Sequence, residues 1–280
     1  MVAFNAQGGA RIGRIIDRLR RPPLSGAGII LLSEAGWRMR ISAGHEVARE
    51  IASALGLSFV FSPEFAVPPI RPHGATAMIG NAILSAEPLD KLTTTPITRF
   101  TRRKTSRLVG TPVGLSAAAI FGGAPLTIGV AHLDSRVSPK GRERQMAAFA
   151  RALPAAGPAI VGGDFNTTTI ELIGRRAMLA LIRHHLLSPR RIRSPENYEP
   201  LFERLFERGF SLEGANVPGA PTFTPSRVVP PLVRPKLDWI AVRELKPITG
   251  SAKVVAARDS FLSMRFSDHD FIVCELRGPA

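Results

Sequence analysis

Residues Pro158 to Thr168 read PAIVGGDFNTT, and the fold turns on how this stretch is understood. Ala159 to Val161 is a short apolar run of the length of a buried strand, Gly162 and Gly163 break it, and Asp164 and Asn166 follow two positions apart where the strand runs out into a loop. Along extended backbone, side chains two apart share a side, so the carboxylate and the amide reach into one pocket while Phe165 turns back to the core. The same letters also fit an Asx-rich turn that simply closes a strand. Other parts of the chain weigh on that choice.

Working outward, apolar runs repeatedly end in polar groups. Ala27 to Leu32, AGIILL, is predicted as a buried strand that delivers Ser33 and Glu34 at its exit; a carboxylate straight after aliphatics is either solvated there or paired with a cation. Val2 to Phe4 is a short strand running into Asn5, a residue type that usually marks a turn. Ala119 to Val130 reads as a hairpin turning near Gly122-Gly123, and its second strand, LTIGV, leads to His132 and Asp134. A lone histidine is ordinarily structural, but this one is the third polar group delivered by an apolar strand. Asp238 lies inside the apolar run Lys236 to Val242, where an unpaired carboxylate is costly and demands a partner. Ser267-Asp268-His269-Asp270 precedes a terminal strand, Phe271 to Leu276.

Between these lie amphipathic helices. Arg11 to Arg21 carries Ile12, Ile15, Ile16 and Leu19 on one face and is stopped by Pro22-Pro23. His45 to Leu55 turns Val47, Ile51, Ala54 and Leu55 inward, with His45 and Glu46 in its first turn, and Gly141 to Leu153 leads into the central strand. Ile170 to Leu187 and Pro200 to Arg208 are also predicted helical. Leu57 to Phe61 and Met78 to Ser85 are predicted strands, with Asn81 read as structural. Pro63 to Gly74, with four prolines, and Pro218 to Pro235, with six, read as irregular. Arg99 to Arg107 is a basic run among threonines, and His184 to Arg193 reads as a surface loop.

Composition sets the outer limits. A chain of 280 residues, 45% of them hydrophobic, buries a large core and is not disordered. A single cysteine, Cys274, excludes an internal disulfide framework and a cysteine-rich metal site and fits a reducing compartment. No leader pattern and no long apolar run is found, so a cytoplasmic location without stable membrane association is expected. The formal charge of +15 favours a polyanionic, phosphate-bearing partner, although only six of the 37 basic residues are lysines, a skew that genomic base composition also produces.

Taken in order, Asn5, Glu34, His132, Asp164-x-Asn166, Asp238 and Ser267-Asp268-His269 resemble the endonuclease/exonuclease/phosphatase superfamily, the metal-dependent phosphoesterases of the deoxyribonuclease type. GGDFN, LDWI and SDH in this order are specific, and the likeness covers nearly the whole chain. It implies one domain over residues 1–280 of the α+β class, a four-layer α/β/β/α sandwich of two stacked mixed β-sheets flanked by helices, with the site at one end. It further implies Asn5, Glu34 and Asp268 as ligands of Mg²⁺, for which Mn²⁺ would substitute, because a hard cation takes oxygen ligands. By the same resemblance Asp164 activates water, Asn166 holds it or a phosphate oxygen, His269 donates to the phosphate with Asp238 orienting its ring, and His132 contacts the phosphate or assists the leaving group. Either histidine remains open as the acid. Ser33 stands where the family often has glutamine, and the only tyrosine, Tyr198, lies away from the motifs, which weakens a DNA-repair reading. The expected activity is hydrolysis of DNA or RNA; the alternatives are a lipid or small-molecule phosphodiesterase or phosphatase and a non-catalytic nucleic-acid-binding domain.

Overall fold

The computed structural model describes residues 1–67, 76–98, 109–168, 191–192, 194–224, 234–260 and 264–278. One sheet has seven strands, in chain order β1 (Val2–Asn5), β2 (Ile29–Trp37), β3 (Ser58–Val67), β4 (Ala77–Ser85), β6 (Val109–Gly110), β12 (Lys253–Val255) and β13 (Phe271–Val273). The second has five: β5 (Asp90–Pro96), β7 (Val113–Phe121), β8 (Ala124–Ala131), β9 (Ala159–Asp164) and β10 (Asp238–Arg243). Across the sheets the orders are β12-β13-β1-β2-β4-β3-β6 and β10-β9-β8-β7-β5, and a small pair, β11 (Lys246–Pro247) with β14 (Leu276–Arg277), stands apart. Both sheets are mixed, since β1 runs parallel to β2 and β8 parallel to β9 among otherwise antiparallel pairs.

Alternation along the strands sorts the apolar side chains into three layers. Ala3, Leu31 and Ile83 from one sheet meet Leu115, Ile128, Val130, Ile160 and Ile240 from the other. The opposite faces of β1, β2 and β4, carrying Phe4, Leu32 and Leu84, are covered by Ile12, Ile15 and Leu19 of α1 (Ile12–Leu19) and by Val47 and Ile51 of α2 (Val47–Leu55). On the far side Val161, Trp239 and Ala241 pack under Met146 and Phe149 of α3 (Pro139–Ala152) and Phe202 and Leu205 of α4 (Leu201–Phe206). The result is a four-layer α/β/β/α sandwich. No helix among the described residues is long and apolar enough to cross a membrane.

Several expected boundaries shift. The two glycines do not break β9, which runs through both to Asp164; a Cβ at Gly163 (φ 129°) would lie 2.3 Å from the Ala131 carbonyl oxygen, so the pair admits close strand packing. β2 does not stop at Leu32 but continues through Ser33 and Glu34 to Trp37 across a register shift, a β-bulge. β3 runs through Pro63 to Val67, so the first part of the proline-rich stretch is strand and not loop, and the threonines at 93–95 belong to the exposed edge strand β5. The terminal strand divides into β13 and β14. The predicted helix over 170–187 and the basic run over 99–107 lie outside the described residues, as does most of 184–193. Asn81 is structural as read: its Nδ2 donates to the Val113 carbonyl at 2.8 Å.

Candidate active site

The ladder between β9 and β10 sets Asp238 directly opposite Asp164, and the parallel pairing of β1 with β2 sets Asn5 beside Ser33. The ends of four strands therefore meet at one rim. Asp164 is its centre. Its Oδ2 accepts from Asn5 Nδ2 at 3.0 Å and lies 3.6 Å from His269 Nε2 and 3.8 Å from His132 Nε2. Its backbone N–H donates to Ser33 Oγ at 3.2 Å.

Asn166 departs from the extended geometry expected of it. Its φ is 49°, its N–H donates to Asp164 Oδ1 at 2.9 Å, and its side-chain amide donates to the Leu133 carbonyl at 2.7 Å. The Asx turn and the site are thus one structure, and the turn aims the carboxylate. Leu133 N–H in turn donates to the Asp164 carbonyl at 2.9 Å, tying the His132 loop to the Asp164 loop.

Each histidine is backed by a carboxylate. His269 Nδ1 lies 2.8 Å from Asp238 Oδ2, and its ring packs against Phe223 at 4.9 Å between centroids. Asp238 is fully buried, with its backbone N–H held by Thr222 Oγ1 at 3.0 Å and its Oδ1 without a hydrogen-bond partner among the described residues. Ser267 Oγ accepts from the His269 N–H and donates to the Asn5 carbonyl, so the SDH segment is tied to the end of β1. His132 Nδ1 lies 3.1 Å from Glu64 Oε2, and its Nε2 lies 3.7 Å from Glu34 Oε1. Glu64, whose side chain is 1% exposed, was not among the predicted site residues. It was missed because a glutamate beside Pro63 in a proline-rich stretch carries no strand signal.

Glu34 occupies the bulge with φ 51°, and its side chain is 32% exposed, so the bulge turns a carboxylate out of an otherwise buried strand. Asp268 is half-buried beside it in the charge field of Glu34 and His269, with its N–H donating to Gln7 Oε1 at 3.2 Å. Asn5 Oδ1 accepts from the Gln7 N–H at 2.9 Å, which uses one of its two lone pairs.

These contacts set the protonation states. Burial alone would depress His269, but Asp238 and Asp164 overcome it and raise the ring to about 10. Burial likewise opposes His132, and Glu64, with Asp164 and Glu34, raises it to about 10. Asp164 is pushed up to about 6, chiefly by burial, with the two histidines and Asn5 pulling the other way. Burial also raises Asp268.

Five carboxyl groups here face two histidines, so the rim stays net negative even with both rings protonated. Such an oxygen-rich, anionic donor set fits a hard divalent cation. Asp164, Asp238 and His269 form a group whose ligand-type atoms lie within 4.8 Å of one another.

The fold is that of the endonuclease/exonuclease/phosphatase class. The profile of the Endonuclease/Exonuclease/phosphatase family matches residues 2–269, and the chain belongs to that family, whose members hydrolyse phosphoesters. A comparison with curated proteins gave no match. Among solved structures, a family protein from Bacteroides vulgatus is similar with a TM-score of 0.65 at 14% identity, covering 99% of this chain and 97% of that one. D. rerio TDP2, complexed with a single-strand DNA product, has a TM-score of 0.59 at 14% identity over 99% and 97%. An AP endonuclease from Archaeoglobus fulgidus has a TM-score of 0.59 at 15% identity over 98% and 97%. At these identities the likeness is one of fold.

Proposed function

We propose that this protein is a divalent-metal-dependent phosphodiesterase acting on nucleic-acid strands, built as one domain over residues 1–280 and working in the cytoplasm. The observation that carries the reading is Asp164 Oδ2, flanked by the Nε2 atoms of two histidines that are each backed by a buried carboxylate. Glu34, Asp268 and the remaining lone pair of Asn5 Oδ1 would hold Mg²⁺, with Mn²⁺ substituting, and the bound cation would neutralise charge on the phosphate. The +15 charge and the DNA complex of the TDP2 relative support a nucleic-acid substrate, and the buried, unpaired Cys274 suits a reducing compartment.

Asp164, raised to about 6, is ionised at neutral pH and basic enough to take a proton from water as its oxygen attacks phosphorus. Asn166 closes the turn that fixes the angle of that carboxylate. His269, held cationic by Asp238, donates to a non-bridging phosphate oxygen where charge develops. His132, held by Glu64 with Nε2 toward the rim, gives its proton to the leaving oxygen as the P–O bond breaks. Turnover of plasmid DNA, RNA, sphingomyelin and inositol phosphates by wild type, E34A and H269A tests the reading. The expected result is Mg²⁺-dependent cleavage of nucleic acid that both variants lose. Cleavage confined to the lipid or the inositol phosphates would displace the nuclease assignment, and full activity in either variant would overturn the site.

A further inference from the structure

Four arginines gather along α1 and at its two ends: Arg14 and Arg18 within the helix, Arg11 at its N-cap and Arg21 just past its C-cap. Arg14 and Arg18, four apart, share one side of the helix, and Arg11 and Arg21 flank its two ends. Arg11, Arg14 and Arg21 are exposed and Arg18 is half-buried. Like charge is crowded here: burial and then the neighbouring Arg21 both lower Arg18.

Arg11 donates to the Arg265 carbonyl at 3.1 Å, and Arg18 donates to the carbonyls of Arg21 and Pro22 at 3.4 and 3.2 Å. Among the described residues, Arg14 is the one of the four with an ion pair to a carboxylate, that of Asp259. On α4, by contrast, Arg204 alone has Glu143, Glu203 and Glu207 for partners. Backbone carbonyls fix a guanidinium in place without cancelling its charge, so Arg11 and Arg18 are held as oriented cations, while Asp259 offsets part of the charge at Arg14.

The stripe is continuous with the catalytic rim. Arg11 bonds the chain two residues before Ser267, and Gln7, at the turn leading into α1, accepts from the Asp268 N–H. Beside the first turn of α1 lies an open groove of about 540 Å³ lined by Arg11, Arg14, Asp17, Ser42 and His45. We propose that the α1 arginine stripe is an anchoring track, outside the catalytic rim, for the phosphate backbone of a single nucleic-acid strand.

Length and polarity favour a strand. A lone phosphodiester engages one or two of the four cations, whereas a strand presents phosphates along the whole face. The exposed residues along it are Arg11, Gly13, Arg14, Asp17, Arg20 and Arg21, with Pro22 and Pro23 just beyond and no large apolar side chain among them to enter a lipid layer; Ile41 and Met264 flank only its beginning. The inference rests on the phosphodiesterase reading for its purpose, so binding and hydrolysis are read separately.

The test is fluorescence anisotropy with a labelled single strand of about 20 nucleotides in a D164N background, across about 50 to 400 mM salt. R14Q/R18Q/R21Q is compared with R136Q/R144Q/R151Q, which removes the same charge beside and along α3. The expected result is a loss of about tenfold or more in affinity at low salt for the α1 variant, with its salt slope reduced by about two, and a smaller change for the α3 variant. Equal losses in both variants would assign the effect to net charge and overturn the track. Absence of strand binding, or arginine-dependent capture by phosphatidylserine vesicles in its place, would overturn it as well. Thermal unfolding of each triple variant verifies that it is folded, and hydrolysis by the protein with Asp164 restored is scored separately against the catalytic reading.

Discussion

The two histidine–carboxylate pairs that face Asp164 are alike in plan and different in setting. Asp238 is a strand residue locked opposite Asp164 by the β9–β10 ladder, 2.8 Å from a His269 whose side chain is 6% exposed. Glu64 sits at a bulge in β3, 3.1 Å from a His132 whose side chain is 17% exposed and opens toward Glu34. A carboxylate fixed by a regular ladder holds its ring to one position, which suits charge stabilisation. A bulge-borne carboxylate beside the mouth permits the adjustment that proton delivery to departing groups of different shape requires.

The strongest way to break this comparison is to remove what the pairs share. D164N leaves both rings without the anion between them and is expected to lower kcat on a generic phosphodiester by about 10³-fold or more, read in single-turnover assays. The next effects separate the pairs. H269A is expected to depress every substrate similarly, by about 10² to 10³-fold, whereas H132A does so severely only for diesters with poor alkoxide leaving groups and mildly for p-nitrophenolate esters. Equal sensitivity to leaving group in both variants would erase the division of labour. Smaller again are the backing carboxylates: D238N is expected to cost about 100-fold and E64Q about tenfold, in line with partners that orient a reacting group.

The protonation states sharpen the same contrast. Both rings are raised to about 10 from an ordinary value of 6.5, so the native protein binds more protons than the unfolded chain between those limits. Their contribution to stability is fully present below about 6.5 and is lost as pH rises toward 10. Chemical denaturation in EDTA is expected to show wild type losing its advantage over H269N/H132N across that window; an advantage that grew with pH would reverse the sign. The least change is expected from S33A, which removes one hydrogen bond to the Asp164 backbone, about 1 kcal/mol of stability, with turnover little altered.

How far the sequence could be read follows from which contacts are local. Asp164, Asp238 and His269 were legible because each stands at or inside an apolar run whose period and length mark a strand, and a buried carboxylate asks for a cation. Glu34 was legible as a group but not as a bulge, since alternation gives no sign that β2 continues beyond Leu32. Glu64 was not legible at all. Pro63 argued for a loop, and the strand tolerates it because Gly80 lies opposite, where a Cβ would sit 2.1 Å from the Ser62 carbonyl oxygen. The pairing of Glu64 with His132 spans two sheets and 68 positions, a distance that no local pattern reports. Asn166 stands beside Asp164 through a left-handed turn and not through the extended backbone assumed for it.

The most direct test is hydrolysis of bis(p-nitrophenyl) phosphate by metal-stripped wild type and D164N, with and without added Mg²⁺ or Mn²⁺. A phosphodiesterase organised around the Asp164 rim turns over only with metal and falls by about 10³-fold in D164N. Metal-independent turnover by wild type, or undiminished turnover by D164N, would contradict it.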